Sequence, residues 1–305
     1  MAIKQVLVDL ENTLYFNTPQ GIEIAPRAKS FVDELKKKNV PYLCTSSSTT
    51  IMRKTLADEI KELEIPAKKI VTSFEVAVDY LREKGIRDVR VIASNEDLKK
   101  GLDYVGFNVV RDPNQKVEGK VGVITGAIKS YSDFDFGSEA RFLFNNESTL
   151  ISLNGRMENS NPGEIEALGV ACKVIEQTRL GLVDGLSGFV VLGKPSYVFY
   201  ERVLRNYLPH YAYETLAIGN SIVEDLIVPK MMGMKTRHVT HKRRLSDERV
   251  QNYPEYLEKY AEGMNGFMQL LVLPRFDMLL SHVDYRNYFP NAALEVKKED
   301  VKRIR

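Results

Sequence analysis

Short apolar runs alternate with amphipathic stretches along most of this chain, and that alternation limits the fold more than any other feature. Residues 5–9 form an apolar run closed by an acid, the pattern of a strand buried on both faces of a parallel sheet. Residues 41–44 read as a second strand, and 89–93, 121–125, 150–153, 188–192, 214–218 and 236–239 as further ones. Between them, Phe31, Leu35 and Val40 fall near helical spacing after Pro26, and 51–63 is amphipathic. Residues 75–83, 97–104, 163–178, 197–207 and 222–232 also read as helices. Such βαβα order predicts an α/β fold of mainly parallel sheets with helices on both faces. At 305 residues the chain is long enough for about two such units.

In sheets of this class, ligands sit beyond the carboxyl ends of the strands. Asp9, Thr45, Lys194 and Asn220 each follow an apolar run by at most two residues, so the pattern collects them at one end of a sheet. Their chemistry is complementary. Transfer of a phosphoryl group through an aspartyl-phosphate needs a carboxylate nucleophile, a proton donor, a positive charge and oriented hydroxyl or N–H donors. Asp9 supplies the first, and Glu11, two residues on in an extended chain, supplies an acid and base. Thr45 and Ser46 open a hydroxyl-rich run before a helix, a place that serves equally for capping and for phosphate binding. Lys194 supplies the charge. Asn220 and Asp225, in Gly219-Asn220-Ser221-Ile222-Val223-Glu224-Asp225, offer the oxygen ligands that magnesium prefers.

This set resembles the four motifs of the haloacid dehalogenase-like hydrolases, in the branch of nitrophenyl-phosphate, pyridoxal-phosphate and phosphoglycolate phosphatases. That branch carries DxDGT, a Thr/Ser-Asn loop, a GKP lysine and a GDxxxxD acidic pair. Their order and wide spacing are matched here, as are Gly193-Lys194-Pro195-Ser196 and the trailing Leu245-Ser246-Asp247-Glu248. The resemblance implies a Rossmann-like parallel-sheet core domain of residues 1–74 and 189–273, with an inserted α/β cap domain at 75–188. Residues 274–305 would form an extension. It also implies Mg2+ held by Asp9, Glu11, Asn220 and Asp225, phosphate held by Thr45, Ser46 and Lys194, and substrate near Asn154 and Arg156. Taken singly, these residues read more readily as an ordinary Asn-Gly turn.

Three of the motifs depart from the family pattern. Glu11 stands for the second aspartate, which carries the carboxyl one methylene further out, and Asn12 stands for the following glycine. Asn220 stands for the first aspartate of the acidic pair, keeping an oxygen but losing a charge. Ser46 and Ser47 stand where relatives often have asparagine. The expected activity is a magnesium-dependent phosphatase of a small phosphorylated metabolite, weakened by these changes. The alternative is a catalytically impaired ligand-binding or protein-interaction module on the same fold.

Other features exclude more than they assign. With 43 basic and 41 acidic residues the charge is balanced, so neither nucleic acid nor membrane is expected as a partner. Two cysteines make no disulfide framework, and the N-terminus has no signal-like pattern, so a cytoplasmic protein is expected. A homodimer through the segment after Leu273 is the oligomer to test. Residues 188–194 formally match GxxxxGK, but the intervening residues are an apolar strand and Pro195 replaces the hydroxyl residue. His238 and His241, beside Lys242-Arg243-Arg244, read as solvated surface.

Overall fold

The structure, a computed structural model, describes residues 2–49, 52–155, 165–179 and 186–239. The first third holds β1 (Gln5–Asp9), β2 (Tyr15–Thr18), β3 (Gly21–Ile24), α1 (Ala28–Lys37), β4 (Tyr42–Ser46), α2 (Arg53–Glu59), β5 (Ile70–Thr72) and α3 (Ser73–Glu83). The middle holds β6 (Asp88–Ile92), α4 (Glu96–Tyr104), β7 (Asn108–Val110), β8 (Lys120–Thr125), α5 (Phe136–Asn145) and β9 (Glu147–Ser152). Then follow α6 (Ala167–Arg179), β10 (Leu186–Val191), α7 (Tyr197–Tyr207), β11 (Thr215–Gly219), α8 (Val228–Met231) and β12 (Lys235–His238).

Two five-stranded sheets result, ordered β12-β11-β1-β4-β5 and β10-β9-β8-β6-β7. Every strand pair in both is parallel. The expected α/β class is therefore observed twice over. β1 is central, and all five of its residues are buried, as are all five of β4. From β1 the chain winds outward through β4 and β5, and it later returns to the other side through β11 and β12. The strand order thus reverses at β1, and the crevice at its carboxyl end is where such a sheet binds ligands.

One buried cluster links the two sheets. It runs from Leu7, Leu43 and Val71 through Phe74 and Leu81 of α3 and Phe199 of α7 to Val89, Ile124 and Ile151 of the second sheet. Helix α3 begins at Ser73 and so crosses the 74/75 boundary expected from sequence. Its start is fixed by Thr72 and Glu75 in a reciprocal capping box, which satisfies two free N–H groups at the helix end.

Local elements that the periodicity did not predict have short-range causes. The β2–β3 hairpin closes through Thr18-Pro19-Gln20-Gly21, with proline at the second turn position and glycine at the fourth. Helix α5 contains the aromatic run 142–144 and buries Phe142 completely, while Phe144 is exposed. Residues 222–227, expected as the start of a helix, are wound as a wide π-helical turn, and regular α geometry resumes only at Val228. Among the described residues no helix is long and apolar enough to cross a membrane. The expectations for Arg156, His241, 245–248 and the segment 274–305 fall outside the described residues.

Candidate active site

Asp9 closes β1, and its ladder partner across the sheet is Thr45 at the end of β4. Parallel pairing in this register is what sets two residues 36 positions apart side by side. Asp9 is 4% exposed. Its Oδ1 accepts from Lys194 Nζ at 2.6 Å, and its Oδ2 accepts from Thr13 Oγ1 at 2.6 Å. Lys194 is fully buried and also donates to Asp225 Oδ1 at 2.9 Å. Asp225 Oδ2 in turn accepts from the Ser221 N–H at 2.9 Å.

The wide turn after β11 places Asp225 back against Gly219, where a Cβ would lie 2.3 Å from Asp225 Cβ. Glycine is required there. A similar constraint acts at Gly193, whose Cβ would lie 2.0 Å from the Leu153 carbonyl oxygen. β10 therefore runs tightly beside the end of β9, and the Gly155 N–H donates to the Lys194 carbonyl at 3.0 Å. The GxxxxGK match is, as expected, a strand and its exit.

Burial and charge oppose each other here. Burial pulls the Lys194 ammonium down, but Asp225 and Asp9 outweigh it and hold its pKa well above the ordinary value. Burial raises the Asp9 carboxyl, Asp225 and Glu11 add to the effect, and Lys194 only partly opposes it, so Asp9 is pushed up to about 8. The ammonium faces three carboxylates, Asp9, Asp225 and Glu11, so the cluster's own charges leave an excess of negative charge.

Glu11 keeps both groups that its position needs. Its carbonyl oxygen points to the Asn220 amide, whose terminal atom lies 2.9 Å away, and the same atom lies 3.2 Å from Asp9 Oδ2. Its carboxylate is held by Ser46 Oγ, while Oε2 is buried with no hydrogen-bond partner assigned among the described residues. Asn12 takes a left-handed φ of 62°, which asparagine adopts more readily than most residues. The substitution for glycine is thus accommodated.

The structure therefore joins Asp9, Lys194, Asn220 and Asp225 in one network, with Glu11 and Thr45 beside it. Several of the expected residues also have other partners. The Ser46 hydroxyl, expected on phosphate, is engaged by Glu11 and by the Ser48 N–H at 2.9 Å. Asp225, expected in the metal set, sits on Lys194 and the Ser221 N–H, both of which compete for its lone pairs. Asn154 is buried, and its amide donates to Glu166 at 3.1 Å. His238 is half-buried rather than solvated, with Nε2 2.9 Å from the Asn220 carbonyl, and burial lowers its pKa. Thr13 and Ser221 had no sequence-derived role. Thr13 could have been found by its place four residues after Asp9, where a tight turn returns to the carboxylate.

A hard cation suits the oxygen set of Asp9 Oδ2, the Glu11 carbonyl and Asn220. Their separations from the Asn220 atom, 2.9 and 3.2 Å, match the roughly 3.0 Å between adjacent oxygens about an ion with 2.0–2.1 Å bonds. The set is poor in charge: among the described residues no group of three acidic, histidine or cysteine side chains is arranged to hold a metal ion.

Comparison with known proteins agrees with this geometry. The sequence model of the haloacid dehalogenase-like hydrolases matches residues 6–108. The 5'-nucleotidase YutF of Bacillus subtilis is 27% identical over 239 residues, covering 76% of this chain and 85% of that protein. Over residues 6–108 the chain is similar to the haloacid dehalogenase-like hydrolases, and the curated relatives it matches are phosphatases and a 5'-nucleotidase. A Staphylococcus aureus acid sugar phosphatase is 27% identical over 111 residues, covering 36% of this chain and 41% of that protein. Among solved structures with this hydrolase fold, NagD from E. coli K-12 superposes with a TM-score of 0.60 at 18% identity, over 81% of this chain and 93% of that one. A p-nitrophenyl phosphatase from Archaeoglobus fulgidus gives 0.61 at 19% identity, over 82% and 93%.

Proposed function

We propose that this chain is a magnesium-dependent phosphatase of small phosphomonoesters that works through an aspartyl-phosphate on Asp9. The observation that carries the reading is the fully buried Lys194 ammonium clamped between Asp9 at 2.6 Å and Asp225 at 2.9 Å. Burying three charged groups is unfavourable for folding alone, and an aliphatic core of the same volume is often as stable or more so. It is useful where a nucleophile and a positive charge must be presented together at a strand end.

The division of labour follows from the contacts. Asp9 Oδ2 shares the Asn220 side with the Glu11 carbonyl, so these three would hold magnesium, and Asp225 positions Lys194. A bound magnesium would neutralise charge on the phosphoryl oxygens. Asp9 Oδ1, beside Lys194, attacks phosphorus as the ester oxygen leaves, and Lys194 stabilises the equatorial oxygens together with Thr45. Protonated Glu11 gives its proton to the leaving oxygen. As carboxylate it then takes a proton from water, which attacks phosphorus and releases phosphate and the Asp9 carboxylate. The insertion of residues 75–188 is assigned as the cover over this site. The exit of β9 beside Lys194 supports that assignment. The similarity to a 5'-nucleotidase, an acid sugar phosphatase and a p-nitrophenyl phosphatase supports a small phosphorylated metabolite as the substrate class.

Purified protein with magnesium is expected to hydrolyse an aryl phosphate, and Asp9→Asn is expected to reduce turnover to background. Failure to exceed the D9N rate on a broad panel of phosphate esters would sink the proposal.

A further inference from the structure

On the phosphatase reading, on which this inference rests, Asn220 occupies the edge of the cation site. One terminal atom of its amide faces three oxygens: the Glu11 carbonyl at 2.9 Å, Asp9 Oδ2 at 3.2 Å and Thr13 Oγ1 at 3.2 Å. An amide can present either oxygen or nitrogen at that point, by a half-turn of its planar group. The neighbours decide which. Thr13 has a single hydroxyl proton, and its 2.6 Å bond to Asp9 Oδ2 uses it. Toward Asn220 it therefore acts as an acceptor, as the carbonyl and the carboxylate always do.

Three acceptors repel an amide oxygen and attract an amide nitrogen. A cation among them reverses the preference, because it binds oxygen lone pairs and repels the NH2 group. The main chain at this point is fixed: His238 Nε2 lies 2.9 Å from the Asn220 carbonyl, and the Val239 N–H donates to the Gly219 carbonyl at 2.9 Å. Only the amide has to turn.

We propose that Asn220 is a two-position gate at the cation site. Without the ion, its NH2 bridges the Glu11 carbonyl and Asp9 Oδ2 and closes the site. With the ion, the amide turns over and offers Oδ1. An aspartate at this position has no closed state, since its carboxylate would face the Glu11 carbonyl and Asp9 Oδ2 with no N–H to give them. Asparagine thus keeps the metal-free protein assembled and makes magnesium compete with internal hydrogen bonds.

The test compares wild type, Asn220→Asp and Asn220→Ala with magnesium alone, by calorimetry, thermal melting and 15N spectra of side-chain amides. N220D is expected to melt below wild type without magnesium and to bind the ion about tenfold tighter or more. N220A should also melt lower, without tighter binding. The Asn220 NH2 resonances, assigned by their loss in N220A, should exchange slowly with solvent without magnesium, then shift and exchange faster on saturation. Should N220D fold only with magnesium, the wild-type resonances still decide the matter. Resonances unmoved at saturating magnesium, or an N220D protein with wild-type stability and affinity, would overturn the gate. If calorimetry detects no binding to any of the three proteins, the cation site itself falls and the gate with it.

Discussion

Lys194→Met is expected to lower stability by about 3–5 kcal/mol and to bring phosphatase turnover to background. The side chain is fully buried between Asp9 and Asp225. Methionine fills the volume but leaves two carboxylates without their counter-charge in a low-dielectric setting. Urea denaturation at several pH values would measure the loss and identify its origin. Asp9 is already raised above its ordinary value of 3.8, chiefly by burial, and removing Lys194 deletes the interaction that lowers it. A carboxyl with a raised folded-state pKa contributes its full stability below the unfolded value and loses it as pH rises toward the folded one. The K194M protein should therefore be nearest to wild type at about pH 4 and fall further behind toward pH 8. A deficit that did not change with pH would mean that lost packing, and not unpaired charge, is responsible.

Gly193→Ala is expected to destabilise by about 3 kcal/mol, the upper end for an overpacked site, and to reduce turnover about a hundredfold. Its Cβ would meet the Leu153 oxygen at 2.0 Å, the Leu153 carbonyl carbon at 2.7 Å and Asn154 Cα at 2.9 Å. All three are backbone atoms and cannot rotate away, so β10 must move from β9 and carry Lys194 with it. Gly188→Ala, in the same strand, is the control: its Cβ would find only Thr149 Cγ2, at 3.9 Å. Equal melting temperatures and activities for G188A and G193A would refute the argument. The comparison also separates the two glycines of the GxxxxGK match by function. Gly193 permits a close strand approach, and Gly188 borders a register shift in the β9–β10 pairing with room where its Cβ would lie.

Much of the architecture was legible because it depends on local pattern. Burial on both faces leaves a run of apolar residues, and an amphipathic helix leaves a 3.6-residue period, so both sheets could be anticipated. The β2–β3 hairpin was harder. Its strands are half exposed and short, and only Pro19 and Gly21 announce it. The π-helical turn at 222–227 has no period of its own, and its form follows from the need to return Asp225 to Gly219.

The candidate site divides in the same way. Sequence alone selected Asp9, Glu11, Lys194, Asn220 and Asp225, because a strand end is a local feature and the chemistry needs those groups in that order. It could not say which oxygen meets which proton. Ser46 holds Glu11 instead of waiting for phosphate, Asn154 turns to Glu166, and His238 supports Asn220. These are decisions of distance between side chains far apart in the chain, fixed only when parallel register and close glycine contacts set the strands in place. The apolar alternation that begins with Gln5–Asp9 determined the kind of sheet and the end at which its chemistry gathers. The tertiary structure decided the pairing of charges, because hydrogen bonds and ion pairs depend on separations of about an ångström that no one-dimensional pattern encodes.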